Sequence, residues 1–332
     1  MSQHLYSAAI RGWGRGVPSR VLTNADLEKI VETNDEWIVT RTGIRTRHIV
    51  SEDESTFTLA LKASKDALSE AGVEPKDLDL IIVGTTTPDF LFPSTGCMLQ
   101  EALAATKAGA FDLEAACSGF LYSLCVGTQF IRSGVYKKVL VVGAETISRF
   151  IDFTDRNTCV LFGDGAGAVV LERDDGNKKI GLGAFKLGSY GAGGNLLHVP
   201  AGGSRFPPSS QTIAKRQHYI KMHGSEIFKL AVRSMVDASF EVLEQEGLTS
   251  DDVDLFIPHQ ANIRIVEAVG KRLEIPDEKV WVNLDRYGNT SAASIPISIS
   301  EAVECGRLKP GMKLLVTAFG GGITWASGVI YW

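Results

Sequence analysis

Residues suited to acyl-transfer chemistry occur at three separate points of the chain, Cys117, His259 and Asn289. Cys117 lies in the stretch F-D-L-E-A-A-C-S-G-F-L-Y-S-L, where a short strand end gives way to apolar residues at helical spacing. The unpaired N–H groups and the positive dipole end at a helix N-terminus favour a thiolate, so this cysteine is a candidate nucleophile. A lone cysteine is more often buried and inert. Whether Cys117 is a nucleophile or an inert core residue therefore depends on the roles of His259 and Asn289.

Together the three side chains predict chemistry at a thioester. A cysteine can accept an acyl group, while histidine and asparagine can both donate hydrogen bonds to one oxygen. Such a pair of donors stabilises a developing enolate, which a carboxylate in place of Asn289 would repel. Taken singly, His259 could be a strand-end residue bonded to backbone, and Asn289 could be a turn residue or a helix N-cap. Their interpretation therefore depends on the elements that position them.

An internal repeat supplies those elements. Residues 71–84 read A-G-V and then D-L-D-L-I-I-V-G, the pattern of a helix end followed by a buried strand. Residues 246–259 repeat this pattern as E-G-L and D-V-D-L-F-I-P-H. At the same offset, K-V-L-V at 138–141 matches K-L-L-V at 313–316. Because three matched segments share one offset, we interpret the chain as two copies of one structural unit.

The order of elements within each half predicts the fold. Each half reads strand, helix, strand, helix, strand, strand, and closes with a glycine-rich turn and a strand. Continuous apolar strands are typical of strands covered on both faces and joined by βαβ crossovers. We therefore predict an α/β fold, a thiolase-like five-layered αβαβα sandwich of two pseudo-twofold-related halves. The halves are expected to span residues 1–174 and 175–332, with a polar linker at 173–178.

The repeat also predicts where the candidate residues meet. The shift that fits the nucleophile turn to the second half places Asn289 opposite Cys117, each in a strand-to-helix turn near the pseudo-twofold axis. His259 ends the second-half strand whose counterpart ends at Gly84. We expect the three side chains to share one pocket. The F-G-G-G run at 319–322 would let backbone N–H groups form an oxyanion hole with the Cys117 N–H, although a plain turn also explains these glycines.

Composition argues against several other classes. The chain has 332 residues and a formal net charge of −5, so no overall basic field attracts nucleic acid. No apolar run is long enough for a membrane span, and residues 1–7 show no secretion signal. Five cysteines without a C-x-x-C pair and six histidines without H-E-x-x-H spacing predict a reducing cytoplasmic setting and no metal. We also expect no other cofactor.

Two stretches fall outside the repeat and are candidates for substrate contact. Residues 34–49 place a tryptophan among arginines, which indicates a surface position for the tryptophan. Residues 191–219 are rich in Gly, Pro and Ser, which predicts an extended loop.

Six motifs, distributed over essentially the whole chain, carry a resemblance to a known family. They are D-E-W-I-V-T-R-T-G-I at 35–44, A-C-S-G-F at 116–120, F-G-D-G-A-G-A at 162–168, P-H-Q-A-N at 258–262, R-Y-G-N-T-S-A-A-S at 286–294 and F-G-G-G-I-T-W at 319–325. Through them the sequence resembles the thiolase superfamily, and within it the β-ketoacyl-acyl carrier protein synthase III family. The resemblance implies an acyltransferase that condenses an acyl-coenzyme A primer with malonyl-acyl carrier protein, giving 3-oxoacyl-acyl carrier protein, coenzyme A and CO₂ at the start of fatty acid synthesis.

The same resemblance implies roles for individual residues. Cys117 would carry the acyl group, His259 and Asn289 would hold the malonyl thioester carbonyl, and the N–H groups of Cys117 and Gly321 would form the oxyanion hole. Phe92 would reach the acyl pocket of the partner subunit in a homodimer. The residues implied to bind coenzyme A are Trp37, Arg41, Thr42, Arg156, Phe228, Ala261 and Asn262. The residues implied to bind the acyl carrier protein are Lys229, Arg264, Lys271 and Arg272, although such charges are often only a solvated face.

Several alternatives make different demands on the sequence. A degradative or biosynthetic thiolase needs a second cysteine in the C-terminal glycine turn, and an elongating condensing enzyme needs a histidine in place of Asn289. A chalcone-synthase-like polyketide enzyme shares the three catalytic residue types, but the segment W-I-V-T-R-T-G-I argues against it. A papain-like hydrolase also orders Cys, His and Asn along the chain, but it carries a different cysteine context and disulfides. A non-catalytic scaffold would not need the intact trio.

One departure from the family pattern is Asn157, where some members have glycine.

Overall fold

The computed structural model describes residues 6–176 and 179–332, which form thirteen β-strands and eleven α-helices. The strands are β1 (Ser7–Gly16), β2 (Val21–Thr23), β3 (Thr46–His48), β4 (Leu80–Gly84), β5 (Gly109–Leu113), β6 (Lys138–Glu145), β7 (Gly165–Asp174), β8 (Gly181–Ser189), β9 (Leu197–His198), β10 (Lys221–Met222), β11 (Leu255–Pro258), β12 (Lys313–Gly320) and β13 (Thr324–Tyr331). The helices are α1 (Asn24–Leu27), α2 (Asp35–Thr42), α3 (Thr56–Ala71), α4 (Thr95–Ala102), α5 (Gly119–Arg132), α6 (Arg156–Cys159), α7 (Ser210–Ala214), α8 (Gly224–Glu246), α9 (Ile263–Arg272), α10 (Leu284–Tyr287) and α11 (Ser294–Glu304).

Nine strands form a mixed sheet in the order β11-β12-β13-β8-β1-β7-β6-β4-β5. Five of them come from the first half of the chain and four from the second, and the two groups are joined where Ala8 of β1 pairs with Gly181 of β8. Within the first group β4 runs parallel to both β5 and β6, and within the second β11 runs parallel to β12. These parallel strands are the ones joined by crossover helices, whereas β7 and β13 each run antiparallel to both of their neighbours.

The helices form three layers around these two groups of strands. Helices α5 and α11 lie between the groups, whereas α3 and α4 cover the outer face of the first group and α8 and α9 cover that of the second. Helix α3 lies unusually close to β1, because Cβ atoms at Gly12, Gly14 and Gly16 would meet its backbone carbonyls at 2.1 to 2.4 Å. The predicted five-layered αβαβα sandwich is confirmed.

The repeated sequence pattern corresponds to repeated structure. Helices α3 and α8 both end at a glycine with positive φ, Gly72 at 62° and Gly247 at 68°. Each is followed by a 3₁₀ turn and a fully buried strand, β4 or β11. The division at residue 174 stays a prediction, and Asn177 and Lys178 of the proposed linker lie outside the described residues. Residues 191–219, predicted as an extended loop, contain a 3₁₀ helix (Gly191–Leu196) and the short elements β9 and α7 within otherwise irregular chain. Over the described part of the chain, no helix is both long enough and apolar enough to cross a membrane.

Candidate active site

Cys117, His259 and Asn289 all line one cavity of about 620 Å³. Cys117 lies in a 3₁₀ turn (Ala116–Ser118) between β5 and α5, and Asn289 lies just before the 3₁₀ turn that leads into α11. These turns contact each other because α5 and α11 are the two helices of the central layer. His259 follows β11, and its N–H donates to the Thr317 carbonyl of β12 at 2.8 Å. The structure therefore brings together the three side chains that the repeat predicted to meet.

The resting form of Cys117 differs from the expectation. Burial, together with the nearby Glu145 carboxyl, raises the pKa of its thiol to about 11. Interactions with the Ser291 hydroxyl and with the backbone N–H groups of Gly321 and Cys117 itself lower the pKa, but they do not offset the loss of solvent. The prediction of a thiolate at a helix N-terminus is wrong for the free protein, because desolvation of the buried sulfur is the largest effect. The group that meets a substrate is a thiol that must lose its proton.

His259 is held neutral. It is 3% exposed, and burial lowers the pKa of its imidazole to about 3. Its Nδ1 atom lies 2.6 Å from the Ser294 hydroxyl oxygen at the start of α11. When Ser294 donates to Nδ1, the proton of the neutral ring lies on Nε2, as a hydrogen-bond donor to a substrate oxygen requires. Ser294 was not identified from the sequence, although it falls within the R-Y-G-N-T-S-A-A-S motif.

The carboxamide of Asn289 has one side already occupied. Its Oδ1 accepts a hydrogen bond from the Ser291 N–H at 2.9 Å. The Asn289 backbone N–H donates to the Leu161 carbonyl at 2.8 Å, which fixes the backbone beside the neighbouring Phe162. Because Oδ1 is engaged, Nδ2 is the atom that remains to donate to a ligand. The site thus combines a thiol with a neutral ring and an amide, both of which can act as donors.

The glycine turn of the second half packs directly on the nucleophile turn. Strand β12 runs as far as Gly320. A Cβ atom on Gly320 would lie 2.8 Å from the Cys117 nitrogen, so only glycine allows this approach. At the start of β13, Thr324 Oγ1 donates to the Ala115 carbonyl at 2.8 Å. These contacts hold the Gly321 and Cys117 N–H groups beside the sulfur, as the predicted oxyanion hole requires.

An aromatic and cationic cluster adjoins the cavity through Arg41. Trp37 is partly buried, and the guanidinium carbons of Arg41 and Arg156 lie 4.8 and 4.9 Å from its ring centroid. Arg41 also lines the cavity itself, as do three further predicted contacts, Phe228, Ala261 and Asn262.

Thr42 and Asn262 use their side chains within the protein. Thr42 is buried, and its hydroxyl donates to the Ile38 carbonyl at 2.7 Å, so the structure does not place it on the cavity surface. The Asn262 carboxamide caps α9 through the Arg264 N–H at 2.9 Å and donates to the Arg41 carbonyl at 3.0 Å. Asn262 therefore ties α9 to α2 at the cavity mouth.

The predicted docking cations are all exposed. Lys229 and Arg264 line the cavity, and Lys271 and Arg272 occupy the last turn of α9.

Phe92 lies in the segment between β4 and α4, where it is 86% exposed beside Leu91. The side-chain amide of Asn157 donates to Asp155 at 3.1 Å. The guanidinium group of the neighbouring Arg156 stays in contact with the Trp37 ring.

Sequence reasoning missed a buried carboxyl next to the nucleophile. Glu145 ends β6 with no exposed surface, and it accepts hydrogen bonds from Thr87 and Ser291. A glutamate directly after the apolar run V-L-V-V-G-A was the available signal, since a charged residue is rarely buried without a specific reason. In residues 6–176 and 179–332, no three His, Cys, Asp or Glu side chains lie together as a metal site.

A two-part αβαβα sandwich with a cysteine, a histidine and an asparagine at its central cavity defines a thiolase-like acyltransferase. The comparisons with known proteins narrow this class. Residues 111–191 match the family model 3-oxoacyl-[acyl-carrier-protein] synthase III, and residues 243–332 match its C-terminal model. Curated relatives named beta-ketoacyl-[acyl-carrier-protein] synthase III from Caldanaerobacter subterraneus and Roseiflexus castenholzii are each 54% identical, over 98% of both chains.

Solved structures agree with these matches. The 3-oxoacyl-[acyl-carrier-protein] synthase III of Aquifex aeolicus is 49% identical with a TM-score of 0.91, over 98% of this chain and 100% of that one. A priming β-ketosynthase of the R1128 polyketide pathway is 34% identical with the same TM-score, over 99% of this chain and 97% of that one. The chain belongs to the β-ketoacyl-acyl carrier protein synthase III family and is an acyltransferase, as the resemblance implied.

Proposed function

We propose that the chain condenses an acyl-coenzyme A primer with malonyl-acyl carrier protein through an acyl group carried on Cys117. The products are 3-oxoacyl-acyl carrier protein, coenzyme A and CO₂, and the reaction starts a round of fatty acid synthesis. The observation that carries this proposal is the meeting of Cys117, His259 and Asn289 in one cavity with two hydrogen-bond donors opposite a nucleophile. The five cysteines are all free, as suits a protein of the reducing cytoplasm.

The first half-reaction acylates the nucleophile. The Cys117 sulfur attacks the primer thioester carbonyl, and the carbonyl oxygen becomes an oxyanion that the N–H groups of Cys117 and Gly321 stabilise. The bond to the coenzyme A sulfur then breaks, and coenzyme A departs with a proton. This role for Gly321 agrees with the close packing of Gly320 on the nucleophile turn.

The second half-reaction forms the carbon–carbon bond. The malonyl thioester oxygen accepts hydrogen bonds from His259 Nε2–H and Asn289 Nδ2–H, so that CO₂ leaves while the negative charge develops on that oxygen. The resulting carbanion attacks the acyl carbonyl on Cys117, and collapse of the tetrahedral intermediate frees the sulfur. A neutral imidazole suits this role, because the buried site disfavours the charged ring.

The cluster around Trp37 is suited to the nucleotide end of coenzyme A. A purine can stack on the indole, with the Arg41 and Arg156 guanidinium groups available to the ring face and the phosphates. Phe228, Ala261 and Asn262 line the way inward, where an extended pantetheine arm would lie. In this arrangement Thr42 supports the backbone of α2 rather than contacting the ligand through its hydroxyl.

Two protein partners complete the proposal. Helix α9 carries three cations against the single carboxylate Glu267, and Lys229 lies across the cavity mouth, so an acidic carrier protein can dock here. A second copy of the chain would cover the exposed segment around Leu91 and Phe92, with Phe92 reaching into its acyl pocket.

The half-reactions separate the assigned roles. Cys117→Ser should form no acyl adduct by mass spectrometry after incubation with acyl-coenzyme A. His259→Ala and Asn289→Ala should still form the adduct but should release little CO₂ from malonyl-acyl carrier protein. Normal CO₂ release by both variants would contradict these roles. Repeated extension with malonyl-coenzyme A in preference to malonyl-acyl carrier protein would favour a polyketide enzyme instead.

A further inference from the structure

Arg47, in the middle of β3, is a fully buried arginine that the reaction above does not use. It has no exposed surface, and none of the ion pairs in the described part of the chain includes it. Burying a guanidinium without a carboxylate is costly, and an apolar side chain of similar size would avoid that cost. The hydrogen bonds of its two terminal nitrogens therefore indicate what the side chain does.

One side of the guanidinium holds helix α2. Its Nη1 donates to Asn24 Oδ1 at 2.8 Å. The Asn24 Nδ2 in turn donates to Asp35 Oδ1 at 2.7 Å and to the Ile44 carbonyl at 2.9 Å. Asp35 is the first residue of α2, and Ile44 follows the glycine that ends this helix. The guanidinium is thus connected, through one carboxamide, to both ends of the helix that carries Trp37 and Arg41.

The other side of the guanidinium holds helix α6. Its Nη2 donates to the carbonyl of Val160, the residue at which α6 ends, at 2.7 Å. The first residue of α6 is Arg156. The two guanidinium groups on the Trp37 ring therefore come from two different helices, and Arg47 is hydrogen-bonded toward both of them.

Arg47 also supports the backbone on either side of Asn289. The Asn289 N–H donates to the Leu161 carbonyl at 2.8 Å, and its carbonyl accepts from the Gly163 N–H at 3.0 Å. Leu161 directly follows the residue that Nη2 binds. Cβ atoms at Gly163 and at Gly288 would each lie 3.1 Å from the Arg47 Cβ, so Arg47 packs against both of the segments that meet at Asn289.

We propose that Arg47 is a positioning residue that fixes both the cluster around Trp37 and the Asn289 backbone. A guanidinium presents its N–H groups in a rigid plane, so its hydrogen bonds to Asn24 and Val160 set the separation of α2 and α6. An apolar side chain would fill the same space without setting this separation. Binding of the nucleotide end of coenzyme A and loss of CO₂ then depend on one buried side chain. The inference rests on the proposed condensation of acyl-coenzyme A with malonyl-acyl carrier protein.

The test compares an acyl donor that has the nucleotide with one that lacks it. Wild type and Arg47→Met are acylated with acetyl-coenzyme A or with acetyl-N-acetylcysteamine, and the Cys117 adduct is followed by rapid quench and mass spectrometry. In Arg47→Met the acetyl-coenzyme A concentration for half-maximal acylation should rise about 20-fold with the maximal rate nearly unchanged. The second-order rate constant for the truncated donor should stay within about twofold of wild type. CO₂ release from malonyl-acyl carrier protein by the pre-acylated variant should fall about tenfold.

Two further variants separate geometry from charge and from loss of fold. Arg47→Lys should recover little of either function, because an ammonium group has no rigid plane with which to hold both helices. Asn24→Ala removes the connection to α2 alone, so it should weaken the use of acetyl-coenzyme A and leave CO₂ release within about twofold of wild type. Asn24→Ala also decides the question if Arg47→Met does not fold.

Arg132→Met is the matched control. The Arg132 guanidinium also donates to backbone carbonyls, those of Leu182 and Gly183, so its loss should lower the melting temperature without changing the preference between the two donors. The proposal would be overturned by equal slowing with both donors or unchanged CO₂ release in Arg47→Met, by full recovery in Arg47→Lys, or by an unchanged donor preference in Asn24→Ala. Failure of the proposed function is a different result, because wild type would then form no adduct with either donor although iodoacetamide still modified Cys117.

Discussion

Replacing Gly320 by alanine tests whether the glycine turn positions the nucleophile. The added Cβ would lie 2.8 Å from the Cys117 nitrogen, 2.8 Å from Thr324 Oγ1 and 2.9 Å from the Ala115 carbonyl oxygen. All three distances are shorter than carbon allows, and two of the three atoms belong to the backbone of the nucleophile turn. Since rotation of the Thr324 side chain would relieve only one of these contacts, the turn and β12 must move apart by about half an ångström.

The consequences differ for stability and for catalysis. Such overpacking costs about 1 to 3 kcal/mol, which for a chain of this size lowers the melting temperature by about 1 to 4 °C. The same displacement moves the two oxyanion-hole N–H groups relative to the sulfur, so we expect acylation to slow about 100-fold. The catalytic loss should therefore be much larger than the loss of stability.

The assay combines thermal unfolding with rapid-quench acylation by acetyl-coenzyme A. Gly203→Ala is the matched control, because a Cβ added at this exposed glycine would meet no atom within 4 Å and should leave both measurements unchanged. If Gly320→Ala acylated within a few-fold of wild type while its melting temperature fell, close packing of β12 would not be what positions the Cys117 N–H.

Three further outcomes follow from the site. Ser294→Ala should slow CO₂ release from malonyl-acyl carrier protein about tenfold and leave adduct formation intact, because His259 loses the partner that keeps its proton on Nε2; equal losses in both assays would contradict this. Trp37→Ala should raise KM for acyl-coenzyme A about tenfold with kcat nearly unchanged, as steady-state kinetics would show. Burial raises the pKa of Glu145 from 4.5 to about 7, so the folded protein holds this proton more tightly than the unfolded chain does. The resulting contribution to the free energy of unfolding is complete below pH 4.5 and is lost as the pH rises to 7. Denaturant unfolding should therefore show Glu145→Gln gaining about 3 kcal/mol relative to wild type between pH 4.5 and pH 8; a constant difference would refute the raised pKa.

The sequence by itself determined the order of elements and the residues that meet. Hydrophobic periodicity and the repeat are local patterns, and burial of apolar faces forces them into one fold, so the partners of Cys117 could be identified from matching positions. The sequence also showed a glycine at position 320. It did not show why glycine is needed there, which is that a Cβ atom would lie 2.8 Å from the Cys117 nitrogen.

Only the tertiary structure decided the ionisation of the site. Cys117 was expected to be a thiolate from its place before α5, but the surrounding protein removes water from the sulfur and raises its pKa to about 11. Likewise, the Ser291 contact to Glu145 and the inward hydrogen bond of Thr42 depend on which groups lie nearby after folding. Desolvation and the choice of hydrogen-bond partner are set by contacts between residues far apart in the chain, and no local pattern encodes them.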